Sequence, residues 1–322
     1  MKAIVATQYG SPDLLSLQEI DRPEPGPGEI LIQVAATAAN PLDWRRLRAE
    51  PILVRFGEGL FRPKFSVLGA DVAGTVVAVG EQVSGWAPGD EVFGEIGGGG
   101  FAEYVCAKAE TVVAKPAGLS FPQAAAIPVA GLTAMQSLRD HGRLQAGQQV
   151  LINGASGGLG TFSVQIAKAL GAEVTGVCSS RNVDLVRSLG ADHVIDYTKA
   201  DPTRTGRTYD LILDNVGNFP VGAYRRGLKP AGIGVSAGFK TLGHMLKVVL
   251  GGAWLSLTGK QKIGLMMARM NQPDLTYLGE LAAAGQLKPV IDRCYPLAET
   301  PEALKYLETG RARGKVIIQV ES

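Results

Sequence analysis

The sequence predicts a two-domain α/β protein in which a barrel-type domain of short antiparallel strands is followed by a doubly wound parallel sheet. Three observations predict it. Residues 1 to about 120 form short apolar runs punctuated by Gly and Pro, the spacing of an antiparallel β domain. From about residue 121 the pattern changes to strands alternating with helices, the texture of a parallel sheet. Within that second stretch, Val150-Leu151-Ile152-Asn153-Gly154-Ala155-Ser156-Gly157-Gly158-Leu159-Gly160 reads as a buried strand, a glycine-rich turn and the start of a helix.

In the first domain, strands are expected at 3–7, 16–20, 29–36, 71–79, 90–94 and 101–108. Pro23-Glu24-Pro25-Gly26-Pro27-Gly28 is a dense turn signal just ahead of the third of these. In the second domain, strands are expected at 150–153, 173–178, 193–196, 211–215 and 232–237. A late helix over 275–284 stops at Gly285, where glycine can take the left-handed cap conformation. Runs 290–295 and 315–320 read again as strands and are expected to return to the first domain. The expected boundaries are therefore 1–121 with 288–322 for one domain, and 122–287 for the other.

The glycine turn points to a dinucleotide. Ala155-x-Gly157-x-x-Gly160 keeps the fingerprint spacing, with alanine at the first small position. Small residues let the backbone approach phosphate, and a helix N-terminus supplies unpaired N–H donors and a positive dipole. Ala155, Ser156, Gly157, Gly158, Leu159 and Gly160 are the expected pyrophosphate contacts. Beyond them Phe162, Ile166, Ala169 and Leu170 recur at helical spacing, and Gly171 closes the helix.

The next strand runs into Ser179-Ser180-Arg181-Asn182. A site for NADH commonly places an acid at the end of this strand, on the ribose 2′-hydroxyl. None stands here, and the nearest along the chain is Asp184, inside the next helix. Two hydroxyls and a planar guanidinium suit a 2′-phosphate, which makes NADPH the expected cofactor and Ser179, Ser180 and Arg181 its contacts. The competing reading has Ser179 capping the helix and Arg181 as a solvated charge.

Composition excludes several classes of function. At 322 residues the chain can build two sizeable cores. With 32 basic and 30 acidic residues, its net charge of +2 provides no broad footprint for nucleic acid. The opening apolar run is short, and Asp13 and Glu19 follow too soon for a signal peptide. Uncharged stretches at 116–138 and 144–167 are broken by Pro122, Pro128 and the glycine turn. Residues 248–258 fall far below the roughly 20 that a membrane span needs. Cys106, Cys178 and Cys294 are odd in number and widely separated, which argues against a disulfide framework and makes a reducing cytoplasm the simplest assignment. His141, His193 and His244 are equally scattered, with no Cys-x-x-Cys or His-x-x-x-His pair, so no metal site is expected.

Further motifs stand in order along the chain: Asn40-Pro41-Leu42-Asp43, Leu68-Gly69-Ala70-Asp71-Val72-Ala73-Gly74 and Gly89-Asp90-Glu91-Val92-Phe93-Gly94. After the glycine turn come Leu189-Gly190-Ala191-Asp192-His193-Val194-Ile195-Asp196-Tyr197 and Gly310-Arg311-Ala312-Arg313-Gly314-Lys315-Val316. With that turn, the set resembles the medium-chain dehydrogenase/reductase superfamily, specifically its zinc-free, quinone-oxidoreductase-like branch. The resemblance covers nearly the whole chain. It implies a GroES-like β-barrel-type catalytic domain and a Rossmann domain.

Departures from the zinc-dependent members are informative. Asn40 stands where those carry a cysteine ligand, Gly69-Ala70-Asp71 where they carry Gly-His-Glu, and Pro128-Val129-Ala130-Gly131 in the third ligand region. The resemblance therefore implies hydride transfer from NADPH to a quinone or an α,β-unsaturated carbonyl, a small apolar acceptor. Such an enzyme must hold the acceptor carbon near the nicotinamide and stabilise the developing enolate oxygen.

Asn40 is the leading catalytic candidate, its amide N–H₂ donating to that oxygen or orienting the cofactor; the alternative is a cap before Pro41. Asp43, beside Arg45, Arg46 and Arg48, is the second, with a structural ion pair as the alternative. Trp44-Arg45 stands where related quinone reductases often have a tyrosine, which leaves water as a proton source. By the same resemblance, Tyr197 is expected near the adenine ribose phosphate. Asn215 and Val216 are expected beside the nicotinamide ribose with Asp214 as a turn cap, and Arg313 or Lys315 at phosphate.

Residues 239–270 are rich in Leu, Met and Val, with lysines interleaved. They fit a lid over an apolar substrate, a subunit contact, or a basic amphipathic patch on a membrane surface. Trp44, Phe56, Phe61 and Phe65 can form an opposite wall or pack in a core. A homodimer would match the family. Two other functions compete with the reductase: a non-catalytic NADPH-binding protein serving regulation, assembly or membrane contact, and a zinc-dependent alcohol dehydrogenase with unplaced ligands.

Overall fold

The computed structural model describes the chain except residues 51–54, 56–58, 61, 62, 65, 240, 321 and 322, and the side chains of Ser256 and Thr258. Phe56, Phe61 and Phe65 thus lie outside the described residues. The helices are α1 (Pro41–Arg48), α2 (Phe121–Ala125), α3 (Pro128–Gln136), α4 (Gly158–Ala169), α5 (Val183–Ser188), α6 (Val221–Gly227), α7 (Leu242–Thr258), α8 (Gln272–Ala283) and α9 (Thr300–Glu308). The chain divides into two compact units, Met1–Val129 with Met270–Gly285 and Pro289–Ser322, and Ala130–Arg269 with Gln286–Lys288.

In the first unit, β1 (Lys2–Ala6) and β2 (Leu15–Glu19) form an antiparallel ribbon. The main sheet is built on β3 (Glu29–Ala39), an 11-residue strand. One edge of β3 pairs with β4 (Asp71–Val79). The other edge is shared: β6 (Tyr104–Lys108) covers Glu29 to Gln33, and β15 (Lys315–Gln319) covers Ala36 to Ala39. With β5 (Glu91–Glu95), β7 (Val112–Ala114) and β14 (Ile291–Pro296), the order is β14-β15-β3-β4-β5-β7. Alternating side chains bury Ile30, Ile32, Val34, Val72, Val76 and Val316 in one core.

Two expectations are corrected here. The strands do not close into a barrel among the described residues; bulges in the β3–β4 pairing bend an open sheet instead. The late helix also belongs to the first unit rather than the parallel-sheet domain. The Gln272 side chain donates to the Val112 carbonyl at 2.9 Å, and the α8 backbone at Gly279 lies against Phe93 and Pro116. The final strands do return to the first unit, as β14 and β15.

The second unit is a six-stranded parallel sheet ordered β10-β9-β8-β11-β12-β13. Its strands are β8 (Gln149–Asn153), β9 (Glu173–Cys178), β10 (His193–Asp196), β11 (Tyr209–Asp214), β12 (Leu228–Ser236) and β13 (Lys262–Leu265). Val150, Leu151, Ile152, Leu211, Ile212 and Leu213 are all fully buried, as a sheet covered on both faces requires. The strand order reverses between β8 and β11, so their carboxyl ends form the topological switch point where such sheets bind ligands. Residues 239–270 resolve into α7, capped by Thr241, and the short strand β13. Among the described residues no helix is long and apolar enough to cross a membrane.

Candidate active site

The glycine turn sits at the switch point. Gly154 leaves β8 with φ +74°, a left-handed conformation that favours glycine. Gly157 is the N-cap of α4, and Thr161 opens the helical hydrogen bonding by donating to its carbonyl at 2.9 Å. The first N–H groups of the helix, on Gly158, Leu159 and Gly160, therefore have no helical acceptor. Gly160 permits a close crossing, since a Cβ there would meet the Gly154 carbonyl oxygen at 2.0 Å. At Gly157 an added Cβ would meet only that oxygen, at 3.6 Å, so the approach to the turn is open. Ala155 is buried under Gly176 of β9, and Ser156 accepts from the Asn182 amide at 2.9 Å. The six turn residues form one loop over a helix N-terminus, the arrangement that favours anions.

The residues expected at the adenine ribose end gather one strand away. Parallel pairing aligns Asp196 with Cys178, which brings Ser179, Ser180, Arg181 and Tyr197 to adjacent strand ends. Ser179 is the cap of a single 3-10 turn by position, but its side chain makes no cap hydrogen bond. Arg181 and Tyr197 are exposed. Ser180 does not stand alone: its hydroxyl donates to the Asp196 carboxylate at 2.5 Å and lies 3.2 Å from the Thr198 hydroxyl. Asp196 also accepts from the Thr198 N–H and hydroxyl, and these bonds hold its pKa down, at about 2. An acid thus stands beside the expected phosphate contacts. Along the chain Asp184 is the nearest acid, whereas the parallel register supplies Asp196.

At the end of β11, fully buried Asp214 accepts N–H bonds from Val216, Gly217, Asn218 and Phe219, and a fifth bond from the Asn153 amide at 2.7 Å. It is a turn cap that ties the two strands of the switch point together. Asn215 and Val216 are presented on this turn. The buried Oδ1 atoms of Asn215 and Asn182 have no hydrogen-bond partner among the described residues. Such orphaned acceptors beside the glycine turn fit a ligand bearing hydroxyl or amide donors, as a nicotinamide dinucleotide does.

In the first unit a buried polar cluster gathers Asn40, Asp71 and Lys315. The Asn40 amide donates to the Ala38 carbonyl at 3.1 Å and to Asp71 Oδ2 at 2.9 Å. Its Oδ1 accepts from Lys315 Nζ at 2.5 Å, and the same ammonium donates to Asp71 Oδ2 at 3.1 Å. The other Asp71 oxygen accepts the Val129 N–H at 2.8 Å. This corrects two expectations. Both N–H bonds of Asn40 are occupied, so in this arrangement the amide holds Lys315 and Asp71 rather than donating to a substrate. Lys315, expected at phosphate, has its ammonium buried against a carboxylate instead.

Asp43 is also corrected. It is fully buried, and its carboxylate accepts the Asn40 N–H at 2.7 Å and the Gly69 N–H at 3.2 Å. Those bonds fix the α1 N-terminus and a turn at Gly69, whose φ is +96°. Burial pushes its pKa up to about 6. Among the neighbouring arginines, Arg48 pairs with Glu308, Arg45 lies over Trp44, and Arg46 donates to the Gly97 carbonyl. Glu95, register partner of Asp71, carries no sequence motif, yet burial and the Asp71 charge push its pKa up to about 7.

These residues do not fit zinc. Asp71 is already engaged by an ammonium, an amide and a backbone N–H, and no thiolate joins it. Cys106, Cys178 and Cys294 lie on three separate strands, β6, β9 and β14.

Comparison with known proteins agrees with this geometry. Residues 26–117 match the family model of the alcohol dehydrogenase GroES-like domain, and 189–318 that of zinc-binding dehydrogenases. A chloroplastic quinone oxidoreductase of Triphysaria versicolor is 35% identical over 340 residues, covering 99% of this chain and 98% of that protein. A trans-enoyl reductase of Aspergillus terreus is 37% identical over 324 residues, covering 92% and 87%. The Escherichia coli quinone oxidoreductase complexed with NADPH superposes with a TM-score of 0.86 at 26% identity, over 99% of this chain and 100% of that one. The fold is that of an oxidoreductase using a nicotinamide cofactor. The chain belongs to the medium-chain dehydrogenase/reductase superfamily, in its quinone-oxidoreductase-like branch.

Proposed function

We propose that the chain is an NADPH-dependent reductase that acts without zinc on quinones or α,β-unsaturated carbonyls. The observation that carries this reading is the Lys315–Asp71–Asn40 cluster, where an ammonium and an amide stand in place of a metal-ligand set. The relatives support it: two are a quinone oxidoreductase and a trans-enoyl reductase, and the third is a quinone oxidoreductase complexed with NADPH.

When bound, the nicotinamide supplies hydride, and a conjugated carbonyl is an acceptor that spreads the incoming charge. The chain's own residues bind and orient. The N–H groups of Gly158, Leu159 and Gly160 hold the pyrophosphate. Ser179, Ser180, Arg181 and Tyr197 receive the 2′-phosphate end. Asn215 Oδ1 accepts a hydroxyl or amide proton of the nicotinamide half. In the first unit, the Lys315 ammonium is a fixed positive charge beside Asn40 and Asp71. Asn40 and Asp71 position that ammonium, and Asp43 holds the turns around it.

The test is NADPH consumption by the purified protein against a panel of quinones and enones, with NADH in parallel. Turnover with NADPH in preference to NADH is the expected result. Tight NADPH binding without consumption across the panel would favour a non-catalytic binding protein.

A further inference from the structure

We infer that α7 is a membrane-surface element, and that its outer face seats on a bilayer carrying anionic lipid. Along this helix Leu246, Leu250, Trp254 and Leu257 recur at i, i+4, i+8 and i+11, a single stripe, and are 48%, 69%, 67% and 85% exposed. The opposite face is sealed. Val248 is buried, and Gly252 packs so closely on β13 that a Cβ would meet the Ile263 carbonyl oxygen at 2.4 Å. The helix is therefore apolar on both faces, with a large aliphatic and aromatic ridge turned outward.

Charge decides what covers that ridge. Between Asp214 and Asp274 the chain has eight Lys and Arg and no Asp or Glu. Lys247 flanks the stripe, and Lys260 and Lys262 follow its C-terminal end. All three are exposed and form no ion pair among the described residues. A second copy seated face to face would bring the same uncompensated lysines together, which opposes a symmetric contact. An anionic bilayer meets both demands, taking up the apolar side chains and neutralising the lysines at headgroup level. Trp254, an exposed ring with one polar N–H end, is the kind of side chain that a membrane–water boundary favours, which argues for lipid over an acidic protein.

The test is co-sedimentation of the full-length protein with vesicles of phosphatidylcholine alone and of phosphatidylcholine with phosphatidylglycerol. The expected result is pelleting with the anionic vesicles only, and release in high salt, where the screening length falls to about 3 Å at 1 M. The double variant Leu250→Glu/Leu257→Glu, shown to be folded by its melting transition, should partition at least about tenfold less. Lys247→Glu/Lys262→Glu should also weaken binding to anionic vesicles. Failure to pellet, or equal pelleting with both vesicle types, overturns the inference. So does a wild-type dimer that the leucine variant dissociates while neither protein binds vesicles, which would assign the face to a second copy.

Discussion

Lys315 and Asp71, 244 residues apart in sequence, meet at 3.1 Å with side chains 3% and 0% exposed. Breaking a buried ion pair from one side leaves an uncompensated charge, which typically costs about 3–5 kcal/mol. Lys315→Met should destabilise the protein by roughly that amount in denaturant unfolding. The double variant with Asp71→Asn should fall short of the sum of the single losses by more than about 1 kcal/mol. Lys315→Met should leave NADPH affinity unchanged; a tenfold weaker dissociation constant would return Lys315 to the phosphate.

Glu95 makes stability depend on pH. Its carboxyl titrates at about 7 when folded against an ordinary value of 4.5. Burial and then the Asp71 charge raise it, while Arg46 and Lys315 oppose the rise. Between those values the folded state holds a proton that the unfolded state has lost, so stability falls as pH rises through the interval. Asp43 adds a similar fall between 3.8 and about 6. Glu95→Gln should remove the upper part, and at pH 8 gain about 2 kcal/mol over wild type relative to their difference at pH 4. Parallel profiles of melting temperature against pH for the two proteins would contradict this.

Asp196 sets a limit on NADPH preference. Its carboxylate lies beside the contacts proposed for the 2′-phosphate and holds the Ser180 hydroxyl to itself. Asp196→Asn removes a like charge at a solvent-accessible site, where water and salt screen the effect. The ratio of NADPH to NADH affinity should rise by up to about fivefold. An unchanged or lower ratio, measured by calorimetric titration of both nucleotides, would place the phosphate elsewhere.

Gly160 has no room for a side chain, its Cβ position lying 2.0 Å from the Gly154 carbonyl oxygen. Gly160→Ala should therefore abolish measurable NADPH binding and lower the melting temperature. Gly157→Ala, where the nearest atom is at 3.6 Å, should leave the melting temperature unchanged while weakening NADPH. Equal loss of stability in both variants would mean that the turn's glycines serve folding alone.

What the sequence revealed divides along physical lines. The glycine turn was legible because strand, turn and helix are consecutive, and the parallel strands because full burial leaves unbroken apolar runs such as Val150 to Ile152. Strands β7 and β13, of three and four residues, are too short to show a period, whereas β10, also of four, is marked by its place in the strand–helix alternation. The Asn40–Asp71–Lys315 cluster was named residue by residue but not as a cluster, because its members come from the chain's two ends and meet only when β15 pairs with β3. Asp196 is hidden in the sequence for the same reason: distance along the chain favours Asp184, while the β9–β10 register brings Asp196 beside Cys178. Asn40 had the position of a cap, yet Asp43 carries out the capping and frees the Asn40 amide for Asp71.

The central claim is hydride transfer, and isotope tracing tests it most directly. Incubating the protein with an α,β-unsaturated ketone and NADPH deuterated at the transferred position should give saturated ketone labelled at the β-carbon, detected by mass spectrometry. Saturated product without the label, or no reduction of any quinone or enone despite saturating NADPH, would contradict the account.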